Sequence, residues 1–118
     1  MKAYTTLEQS KMLADILPIE SVDMEYMFLK KDGSEVSNVP FVKDGFEEPE
    51  CCYIFIPCWS LAALLNIIHY PTLTQEDNKQ WVACSYPPNH LGYASKFYNN
   101  PIDACVAMII KLHEQKIL

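Results

Sequence analysis

Cysteine and histidine are the side chains of this 118-residue chain best suited to chemistry, and Cys58 comes first. It stands at the start of PCWSLAALLNIIHY, residues 57–70, the most apolar run of the chain. A helix starting there would put the Cys58 thiol at its N-terminus. Free N–H groups and the positive end of the helix dipole stabilise a thiolate at such a position. His90 would serve as the base, with Asn99, Asn100 or Asp103 to orient it. Cys51, Cys52 and Cys58 with His69 and His90 offer the donor atoms of a zinc site. Zinc ligands are usually paired as C-x₂₋₄-C, and the C-C-x₅-C spacing here does not fit, nor does either His have a partner at ligand spacing. Gly33, Gly45 and Gly92 are scattered singly, which excludes a phosphate-cradling glycine loop. No serine nucleophile elbow is present. We therefore expect no cofactor and no metal site.

Cys58-Trp59-Ser60 followed by Leu61-Ala62-Ala63 resembles the nucleophile helix of papain-type cysteine peptidases, where a Cys-Trp pair opens a buried helix. That resemblance implies a cysteine-dependent hydrolase using Cys58 and His90. It covers only these six residues. Phe55-Ile56-Pro57 stands where those enzymes carry C-G-S. Their His lies beyond ~100 residues downstream, whereas His90 follows Cys58 closely. Gln9 is the only Gln ahead of Cys58, so no upstream oxyanion donor is evident. A structural Cys-Trp pair is the favoured reading, and no catalytic residue is assigned.

The formal charge is −6. Residues 1–50 hold eleven Asp and Glu against five Lys, and residues 51–118 hold four of each. There is no Arg. Nucleic-acid binding rests on a basic patch with Arg forks, so direct nucleic-acid binding is disfavoured. Glu47, Glu48 and Glu50 form an acidic stretch that reads as solvated surface. As an interaction surface it would instead dock a basic partner or mimic nucleic acid. No run approaches the ~18 apolar residues of a membrane span. The polar start of the chain lacks a signal-peptide core, and five Cys, an odd number, read as reduced thiols. A cytoplasmic protein with no membrane attachment is expected.

The elements that would position these residues follow from local pattern. Thr6 and Gln9 have capping-box spacing ahead of a helix from Thr6 to Leu17, with an apolar stripe of Leu7, Met12, Leu13, Ile16 and Leu17. Pro18 ends it. Asp23 to Lys30 alternates as a strand. Asp32-Gly33 turns it into a return strand over Glu35–Val42, which Pro40 confines to an edge or a short length. The run from Cys51 to Ile56 is extended. In the central helix Leu61, Leu64, Leu65 and Ile68 recur at helical spacing and should face a sheet. Thr72 to Lys79 reads as a polar connection. Trp81–Tyr86 and Leu91–Tyr98 read as strands, with Gly92 marking a bulge or a close approach. Asn100 caps a last helix, with Pro101 at its first position and Asp103 in its first turn. Ile102, Cys105, Val106, Ile109, Leu112 and His113 form its apolar face, with Ala104 and Met108 opposite.

The expected fold is one α+β domain over residues 1–118. Its antiparallel sheet has about four to five strands, with three helices packed mainly on one face. The stretches ADILPIESVDM, PCWSLAALL and NPIDACVAMIIKLHEQKIL resemble small uncharacterised proteins of gut Bacteroidales genomes, their phages and mobile elements. The resemblance implies a cytoplasmic accessory or phage-related protein, and no activity, cofactor or catalytic residue. The aromatic residues suit core packing first and a protein interface second. The expected function is a small non-enzymatic domain that binds a protein partner or itself. Truncating Leu65 to Ala should cost roughly 2–5 kcal/mol if its helix is the core.

Overall fold

The computed structural model of the chain describes residues 2–43 and 52–118. In chain order its elements are α1 (Leu7–Ala14), β1 (Met24–Leu29), β2 (Phe41–Val42), β3 (Tyr53–Cys58), α2 (Leu61–Ile67), β4 (Thr72–Gln75), β5 (Trp81–Ser85), β6 (Tyr93–Ala94) and α3 (Pro101–Glu114). The class is α+β, but the strands do not make one sheet of four to five. They form two three-stranded antiparallel sheets, β2-β1-β3 and β4-β5-β6. The unforeseen strand is β4. Its Thr-Leu-Thr-Gln segment pairs with Gln75 opposite Trp81 and Thr72 opposite Cys84. Lys79, at φ 69°, helps close the connecting turn. With β4 present, the second sheet is a three-stranded meander, while in the first sheet β1 lies between β2 and β3.

The capping box at α1 forms. The Gln9 N–H donates to Thr6 Oγ1 at 3.1 Å, and the Thr6 N–H donates to Gln9 Oε1 at 3.0 Å. The stripe differs from the expected one. Ser10, Leu13 and Leu17 are buried, while Met12 is 44% exposed. Two residues from Ser10, Met12 lies on the opposite side of the helix. The helix is only eight residues long and packs on β3.

In the first hairpin Gly33 takes φ +73°, and its N–H donates to the Leu29 carbonyl at 2.8 Å. The return strand is broken, as Pro40 requires. Glu35 lies opposite Phe28, which would set Asn38 opposite Glu25 in an unbroken ladder. Phe41 sits there instead, so three residues are looped out before β2. Gly92 is a close approach. A Cβ there would lie 2.8 Å from Tyr86 Cε1.

The extended run reaches further than expected. β3 includes Pro57 and Cys58, and α2 begins only at Leu61 with Ser60 as N-cap. Ala63, Leu64 and Ile68 are buried, whereas Leu61 and Leu65 are half-buried. The element buried almost all round is α3. Pro101, Ile102, Ala104, Cys105, Val106, Met108, Ile109 and Leu112 are all buried. Ala104 and Met108 are thus inside, and His113 is exposed. α3 packs on both β5 and α2, so two faces need apolar cover where one was expected. Trp59, Leu13 and Leu17 join these residues in one core.

This core moves the sensitive positions. Leu64→Ala and Met108→Ala should each lose roughly 2–5 kcal/mol in urea unfolding, with Leu65→Ala losing clearly less than either. Equal losses at Leu64 and Leu65 would contradict this placement of α2.

Candidate interaction surface

Cys58 is the last residue of β3, three residues before the first residue of α2, and is 0% exposed. Its thiol therefore lacks the helix N-terminus that would lower its pKa. The side chain points at the N-terminal segment, where Thr5 is buried beneath it. The thiol donates to the Thr5 carbonyl at 3.6 Å and lies 3.4 Å from Thr5 Oγ1. Thr5 Oγ1 also meets Ser10 Oγ at 2.7 Å and accepts the Trp59 N–H at 3.2 Å. The Tyr26 hydroxyl donates to the same Thr5 carbonyl at 2.7 Å. Burial pushes the Cys58 thiol up, against the hydrogen bonds of Thr5, Ser10 and the Trp59 N–H. Tyr26 is pushed up to about 12, by burial first and then by Cys58 and Tyr4. The buried thiol and the buried phenol thus both donate to the one Thr5 carbonyl, which supplies a partner for each.

His90 lies elsewhere. It follows β5 in an exposed turn, and its backbone N–H donates to the Pro87 carbonyl at 3.2 Å. Among the described residues no hydrogen bond joins it to Cys58. Asn100 and Asp103 cap α3 instead of orienting a base. Asn100 Oδ1 accepts the Asp103 N–H at 2.9 Å. Asp103 also accepts from Gln9 Nε2 at 2.7 Å, from Lys2 Nζ at 3.1 Å and from Asn100 Nδ2 at 2.7 Å. One carboxylate so ties the starts of α1 and α3 to the N-terminal segment. Burial pushes Asp103 up, but the hydrogen bonds from Gln9, Lys2 and Asn100 with the Lys2 charge outweigh it, and the net shift is downward.

Of the zinc-type grouping, Cys51 lies outside the described residues. Among the described residues no three His, Cys, Asp or Glu side chains converge. Cys52 is exposed, and His69 sits just past α2 with its carbonyl accepting Ser85 Oγ at 2.8 Å. The acidic stretch of Glu47, Glu48 and Glu50 also lies outside the described residues.

What the fold does present is the first sheet. Of the side chains of β1, β2 and β3, only Tyr26 and Cys58 are buried, and neither joins the cluster around α3. The chain is elongated, 47 × 32 × 22 Å, with a radius of gyration of 15.5 Å. A compact chain of this length would have roughly 13–14 Å. Register assigns the two faces of this sheet. Met24, Tyr26 and Phe28 stand opposite Cys58, Ile56 and Ile54, on the side where Thr5 and α1 lie. Glu25, Met27 and Leu29 stand opposite Pro57, Phe55 and Tyr53 on the other side, and Phe41 joins them beside Glu25. The Tyr53 and Phe55 rings are in tilted contact at 6.3 Å. Leu29, Val36, Val39, Phe41, Val42 and Ile54 are all exposed large apolar residues of this sheet and its hairpin.

The chain ends of this arrangement were not legible as a site. Thr5, Ser10, Asp23 and Lys2 carried no local signal, because their partners are distant in sequence. Asp23 Oδ1 accepts the Ser60 N–H at 2.9 Å, and Asp23 Oδ2 accepts the Ser60 hydroxyl, which fixes the N-cap of α2. Trp59 Nε1 donates to Ser21 Oγ at 2.9 Å. The alternation in Asp23–Lys30 was the one readable hint of the exposed sheet.

In comparisons with known proteins, no family model, no curated protein and no solved structure matches the chain.

Two measurements check this geometry. Iodoacetamide on the native protein should label Cys52 early, with Cys58 and Cys105 protected until the chain unfolds, since both are fully buried and burial pushes their thiols up. Labelling of Cys58 as fast as Cys52 would contradict it. The lowered Asp103 carboxyl stabilises the fold above the unfolded value of ~4. That contribution should disappear as pH falls through the lower folded value. Acid unfolding curves of Asp103→Asn and the parent should therefore converge at low pH, and a constant gap down to the lowest pH would exclude the linkage.

Proposed function

We propose that the chain is a non-enzymatic protein-binding domain that offers its β2-β1-β3 sheet to another polypeptide. The supporting observation is a sheet that buries only Tyr26 and Cys58 and leaves Leu29, Phe41, Val42 and Ile54 exposed. Exposed large apolar side chains gathered on one sheet suit a contact site. Half-buried Tyr53, Phe55 and Met27 supply the aromatic and methionine anchors that interfaces favour. The hydrolase reading has no such support, because Cys58 is fully buried and among the described residues no hydrogen bond joins it to His90. The likeness to Bacteroidales phage and mobile-element proteins suits an accessory binding role in the cytoplasm, and among the described residues no helix is long and apolar enough to cross a membrane.

A photo-crosslinking amino acid at Tyr53 or Phe55 of β3, in cells expressing the chain, should give discrete adducts with a protein. The same group at Gln80, in the turn of the second sheet, should not. Adducts at Tyr53 and Phe55 no more discrete than at Gln80 would overturn the proposal.

A further inference from the structure

We infer that the polypeptide docked on this sheet is a second copy of the chain, paired antiparallel along the outer edge of β3 about a two-fold axis at Phe55. The inference rests on the binding role proposed above and names its partner. β3 is the outermost strand of its sheet. The Lys30 N–H donates to the Cys52 carbonyl at 3.0 Å, which sets the phase of the ladder. In that phase Cys52, Ile54, Ile56 and Cys58 bond to β1, and Tyr53, Phe55 and Pro57 turn their backbone groups outward. The next outward positions, Trp59 and Leu61, are already taken. The Thr5 N–H donates to the Trp59 carbonyl at 2.9 Å, and the Leu61 N–H to the Ala3 carbonyl at 3.2 Å. The open edge is therefore limited to Tyr53–Pro57 among the described residues.

This window fits itself. With Phe55 opposite Phe55, the two copies exchange both N–H···O=C bonds at the centre. Tyr53 then faces Pro57 of the other copy. Each Tyr53 N–H donates to a Pro57 carbonyl, and the missing proline donors fall at the two ends, where a ladder tolerates them. The window carries no charge, so the −6 of each copy stays out of the seam. Exposed edges are often guarded by charge or proline, and the only such guard in this window is Pro57 at its end. The axis runs perpendicular to the sheet, so Met27 and Phe55 of one copy continue into Phe55 and Met27 of the other as one apolar face. The remaining outer strands suit pairing less well. β4 exposes Thr72, Thr74 and Gln75, and β2 and β6 are two residues long.

Sedimentation equilibrium of the full chain under reducing conditions should show a monomer–dimer equilibrium. Phe55→Lys, which puts two charges on the axis, and Phe55→Pro, which removes the central donors without touching the bonds to β1, should each weaken it at least about tenfold. Circular dichroism would confirm that both remain folded. If either does not, disulfide trapping in a Cys51→Ser, Cys52→Ser background decides. Phe55→Cys should cross-link to itself, because Cα atoms of such a pair are ~5.5 Å apart, within disulfide range. Tyr53→Cys and Pro57→Cys chains should cross-link when mixed and not when separate. A chain that is monomeric throughout the micromolar range overturns the inference, as does a dimer unaffected by both Phe55 variants or trapping no better at Phe55 than at Gln75. Photo-adducts of a different protein alongside a monomeric chain would sink the two-fold pairing and leave the binding role standing.

Discussion

The structure depends on the burial of one helix on several sides at once. α3 lies against β5 and α2, and its residues from Pro101 to Leu112 are enclosed apart from the half-buried Asp103, Ala107 and Ile110 and the exposed Lys111. Each fully buried Ile, Leu or Met side chain is worth about 1.5–3 kcal/mol relative to exposure. No other element concentrates as much of that. Even Lys111 keeps its stem on the protein, with its ammonium on the Ala94 carbonyl at 3.1 Å and 6.0 Å from the Tyr93 ring centroid. The second sheet and α2 take their places by covering this helix.

The first sheet is attached by polar means. Thr5 is the hinge of that attachment, bonded through its hydroxyl and its backbone to Ser10, Cys58, Trp59 and Tyr26. Asp23 adds a second tie by capping α2 from the start of β1. Such fully satisfied buried groups fix geometry without adding apolar contact. This is how a sheet can be held firmly to a core and still leave Leu29, Phe41, Val42 and Ile54 exposed. The same bonds place the buried Cys58 thiol in the joint between the N-terminal segment and β3.

Cys58 shows how a local signal misleads. A proline followed by Cys-Trp-Ser and an apolar run reads as a helix entrance, since Pro favours a first helical position. In the fold Pro57 occupies an outward position of an edge strand, where the N–H it lacks has no ladder partner to lose. Both readings satisfy proline. Pairing with Glu25 on β1, far away in sequence, decided between them.

The sequence by itself determined the features that neighbours in the chain control: the capping box at Thr6 and Gln9, the Asn100 cap and first turn of α3, the Gly33 turn, the break at Pro40 and the α+β class. Those interactions close over a few residues, so residue type and spacing specify them. Tertiary structure alone decided that the strands split into two sheets, that Met108 faces inward and Met12 outward, and that Thr5 reaches Cys58. It also decided that β3 lies at the edge of its sheet among the described residues. Each of these turns on which distant surface a residue meets, and periodicity records only that a face is apolar, not how many neighbours will cover it.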